Sequence, residues 1–249
     1  MSDCKPCSTP LEPKSTPADF SESPSFEGPY RELVGSLLYL ALTSRPDILF
    51  SVNILSQLQE KPTVAAWLGL KRILRYLKGS LNFKLVYKKC NSLNFSLNLY
   101  VDADWAANSI DRKSMTGYIL MFNECPILWC SKKQNCISLS STEAEIVAMC
   151  KSLQDLLFYK NVVSEISHVN KTLIFEDNQS AIKSVINENA CARLKHLDVK
   201  LKFIRESLIQ NNICVEYICT ELQVADLFTK CLPKCRLSKL LLLCSLRSD

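Results

Sequence analysis

The hydrophobic period of the chain changes near residue 96, and this change narrows the possible folds more than any other feature. From there Leu97, Leu99 and Val101 alternate with polar neighbours, which is typical of a half-buried strand. Further strands are predicted at 117–122, 127–131, 136–139, 172–175 and 214–218, and helices at 140–165, 178–187, 195–210 and 221–230. Strands followed by helices that alternate with single strands predict an α/β domain with a mixed sheet.

The chain before this domain divides into a polar part and a helical part. Residues 1–29 hold six of the ten prolines and too little apolar surface to order alone, which predicts a disordered arm. Residues 30–90 have helical periodicity, with one helix ending before Arg45, a second running to 59 and a third at 63–77. The predicted units are therefore 1–29, 30–90, 95–235 and a C-terminal tail at 236–249.

The net charge and the cysteines limit which partners and which cellular compartment are expected. The formal net charge of +5 is mildly basic, which allows a nucleic-acid partner without requiring one. The thirteen cysteines are an odd number and no apolar leader precedes them, so reduced thiols in the cytoplasm or nucleus are expected. The longest apolar stretches are too short to span a bilayer.

Four acidic residues stand where α/β folds place functional groups. Asp102 and Asp177 end predicted strands, and in open α/β sheets ligands gather beyond the carboxyl ends of the strands. Glu145 lies in the first turns of the helix after the hairpin strands, and Asp226 lies in the short C-terminal helix. Clustered carboxylates repel one another unless cations compensate them, and two Mg²⁺ ions about 3.5–4 Å apart can hydrolyse a phosphodiester.

Each of these acids also has a structural interpretation. An acid after a strand is more often a turn or N-cap residue than a metal ligand, and an acid in a short helix is usually solvated. Glu143 belongs to the structural class, because it completes a capping box with Ser140 in S-S-T-E. The pattern alone leaves both interpretations of the four acids open.

A series of ordered motifs identifies the family that the chain resembles. Residues 95–235 carry, in this order, Y-V-D-A-D-W-A, D-R-K-S-M-T-G-Y, S-K-K-Q, L-S-S-T-E-A-E, E-D-N-Q-S-A, K-H-L-D-V, F-I-R-E and A-D-L-F-T-K-C-L-P. This series is similar to the RNase H domain of Copia-type retrotransposon Pol polyproteins. The upstream motifs C-K-P-C-S-T-P, P-Y-R-E-L-V-G-S-L-L-Y-L, S-R-P-D-I and K-R-I-L-R-Y-L-K-G-S resemble the end of the same family's reverse transcriptase.

The resemblance implies a fold and an activity. The implied fold is an RNase H-like mixed five-stranded sheet with flanking helices, preceded by a helical remnant of the reverse transcriptase thumb or connection. The implied activity is Mg²⁺-dependent endonucleolytic cleavage of the RNA strand in RNA/DNA hybrids, with two Mg²⁺ ions for which Mn²⁺ can substitute. The implied catalytic residues and metal ligands are Asp102, Glu145, Asp177 and Asp226.

The resemblance also implies a role for each of the four acids. Asp102 bridges both ions, and Asp226 helps to hold the ion that carries the attacking water. Glu145 and Asp177 hold the ion nearer the leaving 3′ oxygen. Glu145 is chosen over Glu143 because it stands three residues before Ala148, as the helix pattern of the fold requires.

Seven further residues are candidate contacts to the hybrid. Lysine and arginine contacts to phosphates supply most of the salt-dependent affinity for nucleic acid, and amides in the minor groove can read the 2′-hydroxyl of RNA. The candidates are Arg112, Lys113, Lys132, Lys133, Asn178, Gln179 and His196. The alternatives are a solvated charged face for the basic residues, helix capping for Asn178, and a structural histidine beside Asp198 for His196.

The chain also differs from a complete polymerase, and this keeps other functions open. It contains no Asp-Asp pair, so the polymerase motif is missing and reverse transcription by this chain alone is excluded. Without fingers and palm, the helical segment either exposes an apolar surface or docks on the RNase H domain, and the rest of a reverse transcriptase is a candidate partner. The alternative function is that of a catalytically silent nucleic-acid-binding remnant or a domesticated fragment. The order of the motifs disfavours an integrase.

Overall fold

The computed structural model describes residues 3–89, 95–107, 111–187 and 197–248. The N-terminal helices are α1 (Ala18–Ser21), α2 (Tyr30–Thr43), α3 (Leu49–Ser56) and α4 (Val64–Gly79), with a 3₁₀ turn at Pro46–Ile48 before α3. The strands are β1 (Lys84–Leu85), β2 (Phe95–Asp104), β3 (Met115–Phe122), β4 (Cys125–Lys133), β5 (Val169–Glu176), β6 (Ile213–Tyr217) and β7 (Leu246–Arg247). The later helices are α5 (Ser141–Ser164), α6 (Gln179–Ile186), α7 (Asp198–Gln210) and α8 (Lys234–Leu243), with 3₁₀ turns at Thr220–Leu222 and Val224–Phe228.

Five of the strands form one mixed sheet, as the sequence predicts. The strand order is β4-β3-β2-β5-β6. The pairs β2–β3 and β3–β4 are antiparallel, whereas β5 runs parallel to both β2 and β6. Because β2 and β5 are parallel neighbours, their carboxyl ends meet at one edge of the sheet.

Strand β3 joins two hydrophobic cores, one on each face of the sheet. Alternate side chains of a strand point to opposite faces. Tyr118 and Leu120 pack into the core beneath α5 and α7, whereas Ile119 and Met121 pack into a core shared with the N-terminal helices and α8. The helical segment therefore docks on the sheet. Of the two predicted arrangements, an exposed apolar surface or docking on the RNase H-like domain, the structure has the second.

The N-terminal arm is packed, so the prediction of disorder for residues 1–29 is wrong for the part of it that the structure describes. Leu11 is buried in the core of the helical segment. The backbone N–H of Cys7 donates to the carbonyl of Arg75 at 3.2 Å, and that of Lys14 donates to the carbonyl of Cys231 at 3.1 Å. The arm cannot order itself, but α4 and the segment after the last 3₁₀ turn supply the partners that its own sequence lacks.

The prediction of a tail at 236–249 is also wrong, because α8 and β7 occupy most of this range. Leu237, Leu240, Leu241 and Cys244 recur at helical spacing and are buried against the N-terminal helices. Strand β7 pairs antiparallel with β1, which ties the end of the described chain to the linker after α4. Among the described helices, none is both long and apolar enough to cross a membrane.

Two local predictions also need correction. The apolar run at 136–139 is not a strand, because Ile137 and Leu139 are exposed and the segment leads directly into the N-cap of α5. The predicted helix at 221–230 is instead the pair of 3₁₀ turns. Tight 3₁₀ geometry holds Val224, Leu227 and Phe228 in the core beside β3.

A buried ion pair in S-R-P-D-I fastens the helical segment together. The guanidinium of Arg45 donates two hydrogen bonds to the carboxylate of Asp47, at 3.0 and 2.7 Å. The hydroxyl of Tyr76, on α4, donates to the same carboxylate at 2.6 Å, and Arg45 also donates to the carbonyl of Ser80 at 3.1 Å. Both charges are thus satisfied in an apolar surrounding, where an unpaired charge is costly.

Candidate active site

Three of the four predicted acids meet at the shared edge of β2 and β5. Tyr100 of β2 lies opposite Phe175 of β5, and continuing this parallel register places Asp102 beside Asp177. Glu145, on α5, points to the same place. One carboxylate oxygen from each of Asp102, Glu145 and Asp177 lies within 4.8 Å of the others. Residues that are far apart in sequence therefore form one group of oxygen ligands, which we call the three-acid cluster.

The first turns of α5 show why Glu145, and not Glu143, belongs to this cluster. The Oγ of Ser140 accepts from the N–H of Glu143 at 3.2 Å, and the carboxylate of Glu143 accepts from the N–H of Leu139 at 2.7 Å. The bond to Ser140 is the half of the capping box that the sequence predicts, whereas the carboxylate of Glu143 reaches back to the residue before the N-cap. Glu145 is 4% exposed, and its Oε2 has no hydrogen-bond partner among the described residues. A buried carboxylate oxygen without a donor is the arrangement that a cation would complete.

The three-acid cluster opens into a cleft of about 560 Å³. Asn178 and Gln179 line the cleft at the start of α6, and Lys230 and Asp104 line it beside β2. Burial raises the pKa of Asp104 to about 6, and the charge of Asp102 adds to this effect while Lys230 opposes it. The cleft is open and mostly polar, so a charged polymer could reach the carboxylates.

Asp226, the fourth predicted acid, lies next to the cluster but not within it. The residue is 0% exposed and sits in the second 3₁₀ turn. Its Oδ1 accepts from the Nζ of Lys230 at 2.7 Å, and its Oδ2 accepts from Arg236. Lys230 also lies 3.1 Å from the Oδ2 of Asp102, so this one ammonium links the fourth acid to the first.

Burial and mutual repulsion raise the pKa values of Glu145, Asp177 and Asp226. Burial is the main cause for Glu145, and the charges of Glu176, Asp102 and Asp177 add to it. Burial and then the charge of Asp102 raise the pKa of Asp226 to about 7, against the opposing effect of Lys230 and Arg236. A cation bound among such crowded acids would favour their charged forms.

Glu176 is a site residue that the sequence analysis missed. It is the last residue of β5 and is fully buried. Its Oε1 accepts from the N–H of Asn178 at 3.0 Å, while its Oε2 has no partner within the described part of the chain. Burial raises its pKa first, and the charges of Asp102 and Asp177 raise it further. The sequence contained a signal for this residue. Glu176 stands two positions after Ile174, so both side chains face the same side of the strand, and this predicts a buried acid.

Lys230 and Thr229 were missed as well, although both contact Asp102. The hydroxyl of Thr229 donates to the Oδ2 of Asp102, and the ammonium of Lys230 lies between Asp102 and Asp226. Burial alone would lower the pKa of Lys230, but the charges of Asp102 and Asp226 outweigh burial and raise it. The spacing of four residues between Asp226 and Lys230 was the signal that could have paired them.

The candidate hybrid contacts fall into different environments. The side chain of Asn178 caps α6, because its Oδ1 accepts from the N–H groups of Ser180 and Ala181 at 3.0 and 3.1 Å. Gln179 beside it is exposed at the cleft. Lys133 pairs with Asp111 at 2.6 Å. The four basic candidates do not line the cleft: Arg112 and Lys132 are exposed, Lys113 is half-buried and Lys133 is paired. The prediction for His196 falls outside the described residues.

The fold and the cluster together define a class of protein. A five-stranded mixed sheet with flanking helices, and an acidic cluster where its central parallel strands end, make this an RNase H-like domain. No protein-family model matches the chain. Among solved structures, RNase H1 from the halophilic archaeon Halobacterium salinarum has a TM-score of 0.42 and 14% identity, covering 54% of this chain and 94% of that one.

Curated relatives place the domain in a family. The Retrovirus-related Pol polyprotein from transposon TNT 1-94 of Nicotiana tabacum is 36% identical over 94% of this chain and 18% of its own length. The corresponding polyprotein from transposon RE2 of Arabidopsis thaliana is 38% identical over 94% of this chain and 16% of its own length. The secreted RxLR effector protein 161 of Plasmopara viticola is 37% identical over 52% of this chain and 90% of its own length.

The chain belongs to the family of Copia-type retrotransposon Pol polyproteins. It spans less than a fifth of the length of the two polyproteins that it matches over 94% of its residues.

Proposed function

We propose that the chain is a Mg²⁺-dependent endoribonuclease that cleaves the RNA strand of RNA/DNA hybrids. The observation that carries the proposal is the convergence of Asp102, Glu145 and Asp177 within 4.8 Å at an open cleft. Carboxylate oxygens are the ligands that Mg²⁺ prefers, and it usually binds through a few of them together with substrate phosphate oxygens. The unpartnered Oε2 of buried Glu145 fits such an ion, because the described protein supplies no donor for it.

The four acids have distinct proposed roles. Divalent ions, when bound, supply a polarised water as nucleophile and compensate the charge of the leaving oxygen. Asp102 is proposed to serve both halves of the site, since it belongs to the three-acid cluster and also pairs with Lys230. Glu145 and Asp177 would hold an ion that compensates the charge of the leaving 3′ oxygen. Asp226 would help to hold an ion that carries the attacking water.

Binding of the hybrid is proposed to use the rim of the cleft. The carboxamide of Gln179 is exposed there, where it can meet the minor groove and the 2′-hydroxyls that mark RNA. Arg112 and Lys132 are exposed and are proposed to contact phosphates outside the cleft, together with Lys113. Lys133 is less suited to this role because Asp111 already neutralises it.

A cleavage assay on four substrates tests the proposal. With Mg²⁺, the purified chain is expected to cut the RNA strand of an RNA/DNA hybrid and to leave double-stranded DNA, single-stranded RNA and double-stranded RNA of the same sequence intact. EDTA is expected to stop cleavage, because the acids then lack their compensating cations. An Asp102→Asn preparation, purified in parallel, must be inactive to exclude a contaminating nuclease.

The same assay separates the enzyme from a catalytically silent remnant. A remnant would bind the hybrid with an affinity that falls steeply with salt and would show no Mg²⁺-dependent turnover. Binding without cleavage in the wild-type chain would therefore contradict the proposed activity and favour the remnant.

A further inference from the structure

Lys230 occupies the space between two of the acids to which metal binding is proposed. Its Nζ lies 3.1 Å from the Oδ2 of Asp102 and 2.7 Å from the Oδ1 of Asp226. The other oxygen of Asp226 accepts from Arg236. Both oxygens of Asp226 are thus engaged by cationic side chains, and an ion that used Asp102 and Asp226 together would meet the ammonium of Lys230.

The opposite side of Asp102 is different. There the three-acid cluster brings its oxygens within 4.8 Å of one another, and no described lysine or arginine forms an ion pair with Glu145 or Asp177. Glu145 is 4% exposed and its Oε2 has no hydrogen-bond partner among the described residues. The Nζ of Lys230 lies 3.2 Å from the Oδ1 and 3.1 Å from the Oδ2 of Asp102, so an ion on this side would share an oxygen of Asp102 with that lysine. Because Glu145 and Asp177 supply the other ligands, one divalent ion can bind there while Lys230 stays in place.

The two sides of Asp102 consequently offer unequal sites. An ammonium carries one positive charge and donates hydrogen bonds, so it compensates Asp102 and Asp226 without a metal. The side chain of Lys230 is 34% exposed and the residue lines the cleft, so it has room to rotate into solvent. A second ion requires that rotation, whereas the first does not.

We propose that Lys230 holds the place between Asp102 and Asp226 in the protein free of nucleic acid, so that the free chain binds one divalent ion and not two. The single ion binds at Asp102, Glu145 and Asp177. A second ion enters only after Lys230 leaves, which makes this lysine a positioning residue that controls metal occupancy. The inference rests on the proposed function, because it assumes that the acids bind divalent metal.

Counting bound Mn²⁺ on the full chain without nucleic acid tests the inference. The electron paramagnetic resonance signal of free Mn²⁺ reports how many ions the protein removes from solution. The wild-type chain is expected to bind one Mn²⁺. Lys230→Met keeps the length of the apolar stem but removes the charge, and it is expected to bind two. Lys171→Met is the control, since Lys171 lies near the start of β5, away from the three-acid cluster, and its exposed ammonium pairs with Glu216 of β6. This variant is expected to bind one Mn²⁺.

The outcomes separate failure of the inference from failure of the proposed function. Two Mn²⁺ ions on the wild-type chain, or one on a folded Lys230→Met chain, overturn the inference, while hybrid cleavage by the wild type leaves the function standing. No bound Mn²⁺ together with no hybrid cleavage overturns both. If Lys230→Met does not fold, as circular dichroism would show, the wild-type count decides alone, because a value of two overturns the inference and a value of one supports it.

Discussion

Replacing Glu145 with glutamine is expected to lower the rate of hybrid cleavage by about a thousandfold or more, while Glu143→Gln changes it by less than about twofold. A lost metal ligand removes several kcal/mol of transition-state stabilisation, and each 1.4 kcal/mol is about tenfold in rate. Glu143 lies on the same helix two residues earlier and is also buried, but its carboxylate caps α5. Glutamine keeps an acceptor for that cap. Single-turnover cleavage with Mg²⁺ measures both variants.

Stability measurements make the comparison of these two variants sharper. Burial and three neighbouring acids raise the pKa of Glu145, so removing its charge is expected to leave the melting temperature in EDTA equal to or above that of the wild type. Loss of activity then cannot be attributed to unfolding. Full activity in Glu145→Gln, or an equal loss in Glu143→Gln, would show that the helix acid has been assigned to the wrong residue.

Adding a single methyl group at Gly117 is expected to destabilise the protein by about 1–3 kcal/mol and to reduce hybrid cleavage. Gly117 lies on β3 directly opposite Asp102. A Cβ at this position would come within 2.5 Å of the Cγ2 of Thr229, 2.9 Å of the Cβ of Phe228 and 3.0 Å of the carbonyl oxygen of Ala225. The last two atoms belong to the second 3₁₀ turn, so this turn must move away from the sheet.

The effect of Gly117→Ala on activity follows from what that turn carries. It holds Asp226, and Thr229 just after it donates to Asp102. Urea unfolding monitored by tryptophan fluorescence measures the loss of stability. Gly35→Ala is the control, because a Cβ there meets nothing within 4 Å and alanine is favoured over glycine within a helix by about 1 kcal/mol. An unchanged midpoint for Gly117→Ala would mean that the turn does not pack on β3 as described.

Local patterns in the sequence predicted the elements that depend on local physics. The alternation around Leu99 predicted β2, and the capping box at Ser140 predicted the start of α5. The sheet edge that brings Asp102 and Asp177 together follows from the rule that parallel strands align their carboxyl ends. These features could be predicted because they depend on neighbouring residues and on the pairing of two strands, and not on other distant contacts.

Features that depend on tertiary packing were not predicted. The proline-rich arm looks disordered in isolation, but contacts with residues distant in sequence, among them the carbonyls of Arg75 and Cys231, order it. Glu176 was passed over because its neighbour Asp177 matched a known motif, although β5 buries Glu176 completely. The contact between Lys230 and Asp102 joins residues 128 positions apart, and no sequence pattern reports such a distance.

The most direct measurement of the central claim is anomalous diffraction from crystals soaked in Mn²⁺. An anomalous peak is expected about 2.0–2.3 Å from carboxylate oxygens of Asp102, Glu145 and Asp177, since divalent ions with oxygen ligands bind at about this distance. A map with no peak among these three side chains, in crystals whose cleft is open to solvent, would contradict the claim that they form a metal site.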